Sequence, residues 1–308
     1  MNIIQHRKIY FAISSILVII SIISLALWQF KLNIDFTGGT LMEIEFKNAR
    51  PTAEQIKEKI NSLNLGEISV QLTGTTGAII KMKNIDEEIH QNVIVKLQEI
   101  IPTVKIAEKV VENKIEEKKF LSIGPTIGNE TKEKAINALI IAIIIIIIYI
   151  AWAFRKISKP ISSWKYGLIA IIVLIHDIII TLGVFSILGH FLGVEIGATF
   201  IIALLTILGY SNHDTIIIFD RLRENLLKLK GKDFEDTVNI SINETIVRSI
   251  NTSLTVLLSL FAVFFFGGAS VRDFILALII GIIAGTYSSI FVACPLLVIW
   301  ERIRKLKK

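Results

Sequence analysis

The chain has one cysteine in 308 residues, Cys294, which excludes an intrachain disulfide and leaves no thiol cluster for a metal. Charge is scarce too: Asp, Glu, Lys and Arg make up 19% of the chain against 53% hydrophobic residues, and the mean hydropathy is +0.65. That balance excludes an ordinary soluble protein and describes a polytopic membrane protein. The sequence also lacks an HExxH helix, a Gly-rich phosphate cradle after a strand and the Gly-x-Gly-Asp motif of intramembrane aspartyl proteases. No metal, cofactor or enzyme activity is therefore expected. A net charge of +6 and a pI near 9.2 do not imply nucleic-acid binding, because the basic residues sit at the ends of apolar runs as topological anchors.

A hydrocarbon core about 30 Å thick needs about 20 apolar residues in a helix, and six segments meet that test. They lie near Tyr10 to Phe30, Ala135 to Phe154, Tyr166 to Leu188, Val194 to Phe219, Ile246 to Phe266 and Phe274 to Trp300. Arg7, Lys8 and the small residues near Ala26 give the first segment some features of a signal peptide. Its apolar stretch exceeds the usual range of about 7 to 15 residues, so it reads as a retained anchor. With six alternating spans, Arg7 and Lys8, then Arg155, Lys156, Lys159 and Lys165, then Arg221 to Lys232, then Arg302 to Lys308 share one side. The opposite short loops hold only Arg272, which predicts that both termini are cytoplasmic.

The division expected is residues 1–30 for the N-terminus and first span, 31–134 for an extracytoplasmic α+β domain, 135–300 for five spans, and 301–308 for a basic tail. Within 31–134 the periodicity predicts a strand over Thr40 to Phe46, a helix over Thr52 to Leu63 and a strand over Ile68 to Leu72. A strand over Gly77 to Asn84, a helix over Asp86 to Ile100 and a fourth strand over Val104 to Val111 follow. This is the split βαβ, ferredoxin-like order. Gly74-Thr-Thr-Gly77 makes the central turn, Asp35-Phe-Thr-Gly-Gly39 a sharp turn into the first strand, and His90 falls on a polar, solvated helix side.

Asp214 is the costliest residue in the chain, since a carboxylate inside a span costs at least about 2.5 to 3.5 kcal/mol. It lies seven residues before Arg221, or about 10 Å up the helix. Arg248 enters the next, antiparallel span to a comparable depth, so the two charges are expected to face one another. A static ion pair and a proton-coupling pair are both open on these residues alone. Asn251 and Thr255 follow Arg248 at helical spacing and are expected beside the aspartate, either holding water or packing. His213 adds a titratable group but points about 100° away from Asp214. Asp177, about 18 Å along the helix from Lys165, is a secondary candidate for proton or water contact. The two His-Asp dipeptides, at 176 and 213, do not supply three convergent metal ligands. Gly193 with Gly197 and Gly281 with Gly285 have small-xxx-small spacing for helix packing, and the Ile140 to Ile148 run reads as lipid-facing.

Several stretches together resemble the SecF family of bacterial protein-export membrane subunits. They are Ile34-Asp-Phe-Thr-Gly-Gly-Thr40, Gly124-Pro-Thr-Ile-Gly-Asn-Glu130, Gly209 to Asn225, Arg248 to Thr255, Phe264-Phe-Phe-Gly-Gly268 and Gly285-Thr-Tyr-Ser-Ser-Ile-Phe291. The resemblance spans essentially the whole chain. It implies a six-helix bundle like that of the resistance-nodulation-division exporters, carrying one ferredoxin-like domain, in the bacterial cytoplasmic membrane. It further implies partnership with SecD beside the SecY, SecE and SecG channel, often with YajC, and use of the proton-motive force to help preproteins leave the channel. Asp214 and Arg248 match charged motif positions, which assigns them to the proton pathway. His213 departs from the family's usual asparagine. A small-molecule or lipid exporter of the resistance-nodulation-division class is the alternative, although such exporters usually have about twice as many spans.

Overall fold

The structure is a computed structural model that describes residues 2–47, 50–100, 104–106, 109–111, 114–153, 163–229 and 231–306. In chain order the first elements are α1 (Arg7–Trp28), α2 (Ile34–Thr37), β1 (Gly39–Phe46), α3 (Ala53–Asn61), β2 (Ser69–Thr73), β3 (Gly77–Met82) and α4 (Glu87–Glu99). Then come β4 (Val104–Ile106), β5 (Lys109–Val111), β6 (Ile115–Ile123), α5 (Pro125–Ala153), α6 (Ser163–Leu192), α7 (Ala198–Lys228) and α8 (Phe234–Phe266). The last helix, α9 (Ala269–Ser288), passes through a π-helical turn, Ser289–Ala293, into α10 (Cys294–Leu306). The chain divides into two compact units, one of Met1–Lys31 with Ala135–Lys308 and one of Leu32–Lys134.

The helical unit follows from six apolar runs. Among the described residues, six helical segments are long and apolar enough to cross a membrane: Ile4–Trp28, Pro125–Ile150, Trp164–Leu192, Ala198–Lys228, Phe234–Phe266 and Val271–Leu306. Beside a core of bulky side chains such as Tyr166, Ile169, Phe219 and Leu222, small and hydroxylated residues mark the closest helix approaches, as expected where lipid competes for apolar surface. On α1 the buried positions are Ser14, Ser21 and Ser24, while Ile16, Ile19, Ile20 and Ile23 are exposed. A Cβ on Gly183 of α6 would fall 2.2 Å from the Ser21 Cβ, so this glycine is required where α1 and α6 meet. Gly281 and Gly285 behave as expected, since a Cβ on either would run into Ile207 or Ser211 of α7. Gly193 and Gly197 do not: they lie between α6 and α7, and the positive φ of Gly193 (70°) marks a turn instead of a packing face. Ile140, Ile141, Ile144, Ile145 and Ile148 are exposed, matching the lipid-facing expectation.

Polar contacts tie the helix ends into two sets. Arg7 donates to Glu235 at 2.6 Å, Arg302 donates to the same carboxylate at 2.5 Å, and Asn239 accepts from the amide of Ile3 at 2.9 Å. The start of α1, the start of α8 and the end of α10 thus share one end of the bundle. At the other end Trp28 stacks on His190 at 4.7 Å, and the Ile196 amide donates to the Lys31 carbonyl at 2.8 Å. Phe154, Arg155, Lys156, Lys159, Lys230, Lys307 and Lys308 lie outside the described residues.

The α+β unit is a four-stranded antiparallel sheet in the order β2-β3-β1-β6, with α3 and α4 supplying the rest of its core. Met42, Ile44, Ile56, Ile60, Ile80, Val93 and Leu97 are fully buried there. The order is ferredoxin-like, but the fourth strand is Ile115–Ile123 and not Val104 to Val111, whose described parts pair with each other as β4 and β5. The run Glu116-Glu117-Lys118-Lys119 hid the true strand, because a bulge at Lys118 breaks its alternation. α3 opens on a capping box between Thr52 and Gln55, and Asp86 caps α4 through the Ile89 amide.

The Gly-Gly turn is tighter than expected. α2 precedes it, Gly38 (φ 72°) and Gly39 (φ 134°) both take conformations that disfavour side chains, and a Cβ on Gly38 would sit 2.8 Å from the Pro125 backbone. A Cβ on Gly128 would come equally close to the Gly38 amide nitrogen, so the two glycine motifs of the sequence pack on one another. His90 also differs from expectation, being 6% exposed instead of solvated.

Candidate functional site

Two carboxylates are buried among the membrane helices. Asp214 lies midway along α7 with its side chain 2% exposed. Ser253 of α8 donates to it across a long 3.4 Å, and Ser253 in turn pairs with Thr286 of α9 at 2.6 Å. His213 is 65% exposed, and its Nδ1 stays 3.8 Å from the Asp214 carboxylate, beyond hydrogen-bond reach. Its ring turns outward while the aspartate turns into the bundle.

Asp177 of α6 is fully buried and far better satisfied. Ser211 of α7 donates to its Oδ2 at 2.5 Å and Ser288 of α9 to the same oxygen at 2.9 Å, while His176 Nδ1 lies 2.9 Å from Oδ1. A neighbouring pair, Thr215 and Ser289, joins α7 to the π-helical turn at 2.8 Å. The close α7–α9 approach that Gly285 permits lets these short side chains reach across.

The expected contact between Asp214 and Arg248 does not form. Arg248 is exposed, and its guanidinium makes no hydrogen bond or ion pair among the described residues. It lines a cavity of about 450 Å³ with Ile216, Ile217, Thr245 and the charged group Asp220, Arg221, Glu224 and Glu244. Arg221 is the cation that the neighbouring carboxylates take, donating to Glu244 at 2.7 Å and Glu224 at 2.5 Å. Asn251 and Thr255 are exposed on the Arg248 side, with Thr255 Oγ1 donating to the Asn251 carbonyl of its own helix.

The reason is rotation about the α8 axis. Ser241, Thr245, Ser249 and Ser253 recur every fourth residue, and all four are buried. The level differs too: Asp214 meets Ser253, about 7 Å along α8 from Arg248, and the side facing α7 is this ladder and not the arginine stripe. The missed residues, Ser253 on α8 and Ser211, Thr286 and Ser288 on its neighbours, carried a usable signal. Small residues at four-residue spacing mark a packing face.

The family described as "Protein export membrane protein SecD/SecF, C-terminal" matches residues 103–303, and the "SecD/SecF GG Motif" matches residues 29–49. The chain belongs to the SecD/SecF family. Among its relatives, the protein translocase subunit SecF of Thermobaculum terrenum is 41% identical over 311 residues, covering 97% of this chain and 94% of that one. The subunit of the same name from Anaerolinea thermophila is 38% identical over 303 residues, covering 98% and 94%. The crystal structure of SecDF, a translocon-associated membrane protein from Thermus thermophilus, superposes with a TM-score of 0.82 at 29% identity. It takes in 98% of this chain, which spans 39% of the SecDF chain. The GG motif coincides with the Gly38-Gly39 turn, so the SecD/SecF signature marks a backbone crossing where side chains do not fit.

Proposed function

We propose that this chain is the SecF-type auxiliary subunit of a bacterial Sec protein translocase, and that Asp214 carries protons whose movement promotes preprotein export. The observation that carries the reading is a carboxylate buried in a six-span bundle with one long hydroxyl contact. An anion so sparsely bonded in a low-dielectric site gains a great deal from taking a proton, and loses little hydrogen bonding when it does. A proton crossing the membrane carries about 2.3 kcal/mol per 100 mV, enough for one or two to bias a rearrangement of a few kcal/mol.

SecD is the partner that covers the open side of α8. Arg248 and Asn251 have side chains without partners among the described residues, on a helix otherwise apolar enough to face lipid. Polar groups there call for a second membrane chain, and the Thermus protein, SecDF, is a longer chain of which this one matches 39%. The assembly works beside the SecY, SecE and SecG channel with YajC, acts on preproteins, and lies in the cytoplasmic membrane with both termini inside. Proton movement, not enzyme catalysis, is its chemistry.

The test uses membrane vesicles holding the complete complex, a preprotein and a measured proton gradient. Asp214→Asn is expected to abolish the gradient-dependent stimulation of export while SecD still co-purifies. Full stimulation by the variant would remove Asp214 from the pathway.

A further inference from the structure

His90 stands one turn into α4, on the face it shares with Val93 and Leu97, and that face packs on the sheet of the α+β unit. Across from it, the bulge at Lys118 changes which way β6 points its side chains. Phe120 opposes Met42 and Glu117 opposes Ile44, and since Met42 and Ile44 are both buried under the helices, Glu117 and Phe120 share the helix-covered face. Glu87 reaches the ring from the preceding turn of α4. The imidazole, with its side chain 8% exposed, therefore has a carboxylate at each nitrogen: Nδ1 is 3.2 Å from Glu87 Oε2, and Nε2 is 3.1 Å from Glu117 Oε2. Phe120 lies flat against it, with ring centroids 3.8 Å apart at 23°.

Counting hydrogens decides what this arrangement holds. Ionised carboxylates only accept, and a neutral imidazole has one N–H, so a neutral ring satisfies one contact and turns a lone pair toward the other carboxylate. Both contacts become hydrogen bonds when the triplet carries one more proton. We propose that the α+β unit contains a proton-binding site, Glu87–His90–Glu117, in which that added proton fastens α4 to β6.

The proton belongs on the ring. Gln91 donates to the other oxygen of Glu87 at 2.6 Å, and this bond, followed by that of His90, holds Glu87 below the usual carboxylate range. The face of Phe120 favours a cation over a neutral ring. Among the described residues the charged groups that meet the ring are Glu87 from α4 and Glu117 from β6. Other charges on the packed elements are engaged elsewhere: Lys118 binds Glu45 of β1 and Glu116, and Lys59 of α3 binds Glu99 at the far end of α4. Glu88 and Lys119 point to solvent. When the ring loses its proton only one of the two contacts keeps a hydrogen, so the bond across to Glu117 of β6 and the bond within α4 to Glu87 compete for it, and the helix is held most firmly when the surrounding compartment is acid. This site is independent of Asp214 and stands or falls separately.

The full chain in lipid nanodiscs provides the test. Hydrogen exchange across α4, corrected for the intrinsic pH dependence, is expected to be roughly tenfold slower at pH 6 than at pH 8, the scale of one charge-assisted bond. His90→Gln and Glu117→Gln should each flatten that dependence. Nitrogen NMR of the wild-type chain labelled at histidine, with His90 assigned from either variant, reads the ring directly and is expected to show both nitrogens protonated at pH 6. A singly protonated ring at pH 6, or an unchanged pH dependence in the variants, would overturn the proposal.

Discussion

Asp177 and Asp214 are both carboxylates buried among the membrane helices, yet their surroundings differ in a way that separates structure from exchange. Asp177 receives two serine hydroxyls from two other helices and faces an imidazole nitrogen, all within 2.9 Å. Asp214 receives one hydroxyl at 3.4 Å. A carboxylate with three close partners is a joint, because removing it orphans Ser211 and His176 Nδ1 and leaves Ser288 only its own helix carbonyl, whereas one with a single long hydroxyl contact and an imidazole at 3.8 Å is free to change its protonation without unbuilding its site. Burial and sequence context alone make the two look alike. What distinguishes them is the number of donors that converge.

Substitutions at the two aspartates set the outer limits of this contrast. Asp177→Leu leaves Ser211, Ser288 and His176 buried around an apolar group and is expected to cost about 3–5 kcal/mol in unfolding from detergent. Asp214→Asn is expected to cost less than about 1 kcal/mol in the same measurement while abolishing gradient-driven stimulation. Equal losses of stability would break the comparison. Gly285→Ala comes next: its Cβ would lie 2.8 Å from the Ser211 Cβ, and pushing α9 from α7 is expected to cost about 1–3 kcal/mol. That loss should shrink in an Asp177→Leu background, where the Ser211 bond is already gone.

The donors themselves give a finer comparison. In double-mutant cycles Ser288→Ala, which removes a 2.9 Å bond to a fully buried acceptor, is expected to couple to Asp177 by about 1–2 kcal/mol, while Ser253→Ala, whose cost comes mainly from the 2.6 Å pair with Thr286, is expected to couple to Asp214 by well under about 1 kcal/mol. Reversal of that order would show that the hydroxyl contacts do not rank the two sites. At the exposed extreme is Glu45, which the hydrogen bond from Lys118 and then that from Thr76 hold below its ordinary value of 4.5. A carboxylate depressed in the folded state contributes stability above its unfolded value, and that contribution disappears as pH falls below about 4.5. Lys118→Met should flatten the acid limb of the unfolding curve only slightly, since the pair is open to solvent.

Much of this architecture was legible in the residues. Uninterrupted apolar runs demanded six spans, and the strand and helix periods of 31–134 gave a ferredoxin-like order. The fourth strand was misread because hydropathy alternation favours Val104 to Val111, whereas β6 carries four consecutive charges and a bulge. The burial of Asp214 was readable from its place inside an apolar run. Its neighbours were not, because an apolar run is a property of one helix while facing depends on how the partner helix is turned. His90 failed for a related reason: a polar helix position becomes interior when a strand brings Glu117 and Phe120 over it.

The Ser241, Thr245, Ser249, Ser253 ladder of α8 has one more mechanical consequence. Four residues advance a helix by about 400°, so each rung lands about 40° past the last and the seam winds about 120° from Ser241 to Ser253. At its lower end the seam meets α7, where Asn225 donates to Ser241 at 3.0 Å; at its upper end it meets Asp214 and, through Thr286, α9. A rod gripped at its two ends from different directions does not roll about its own axis. For α8, tilting and sliding remain, and the alignment of Ser253 with Asp214 is set partly by a contact three turns away.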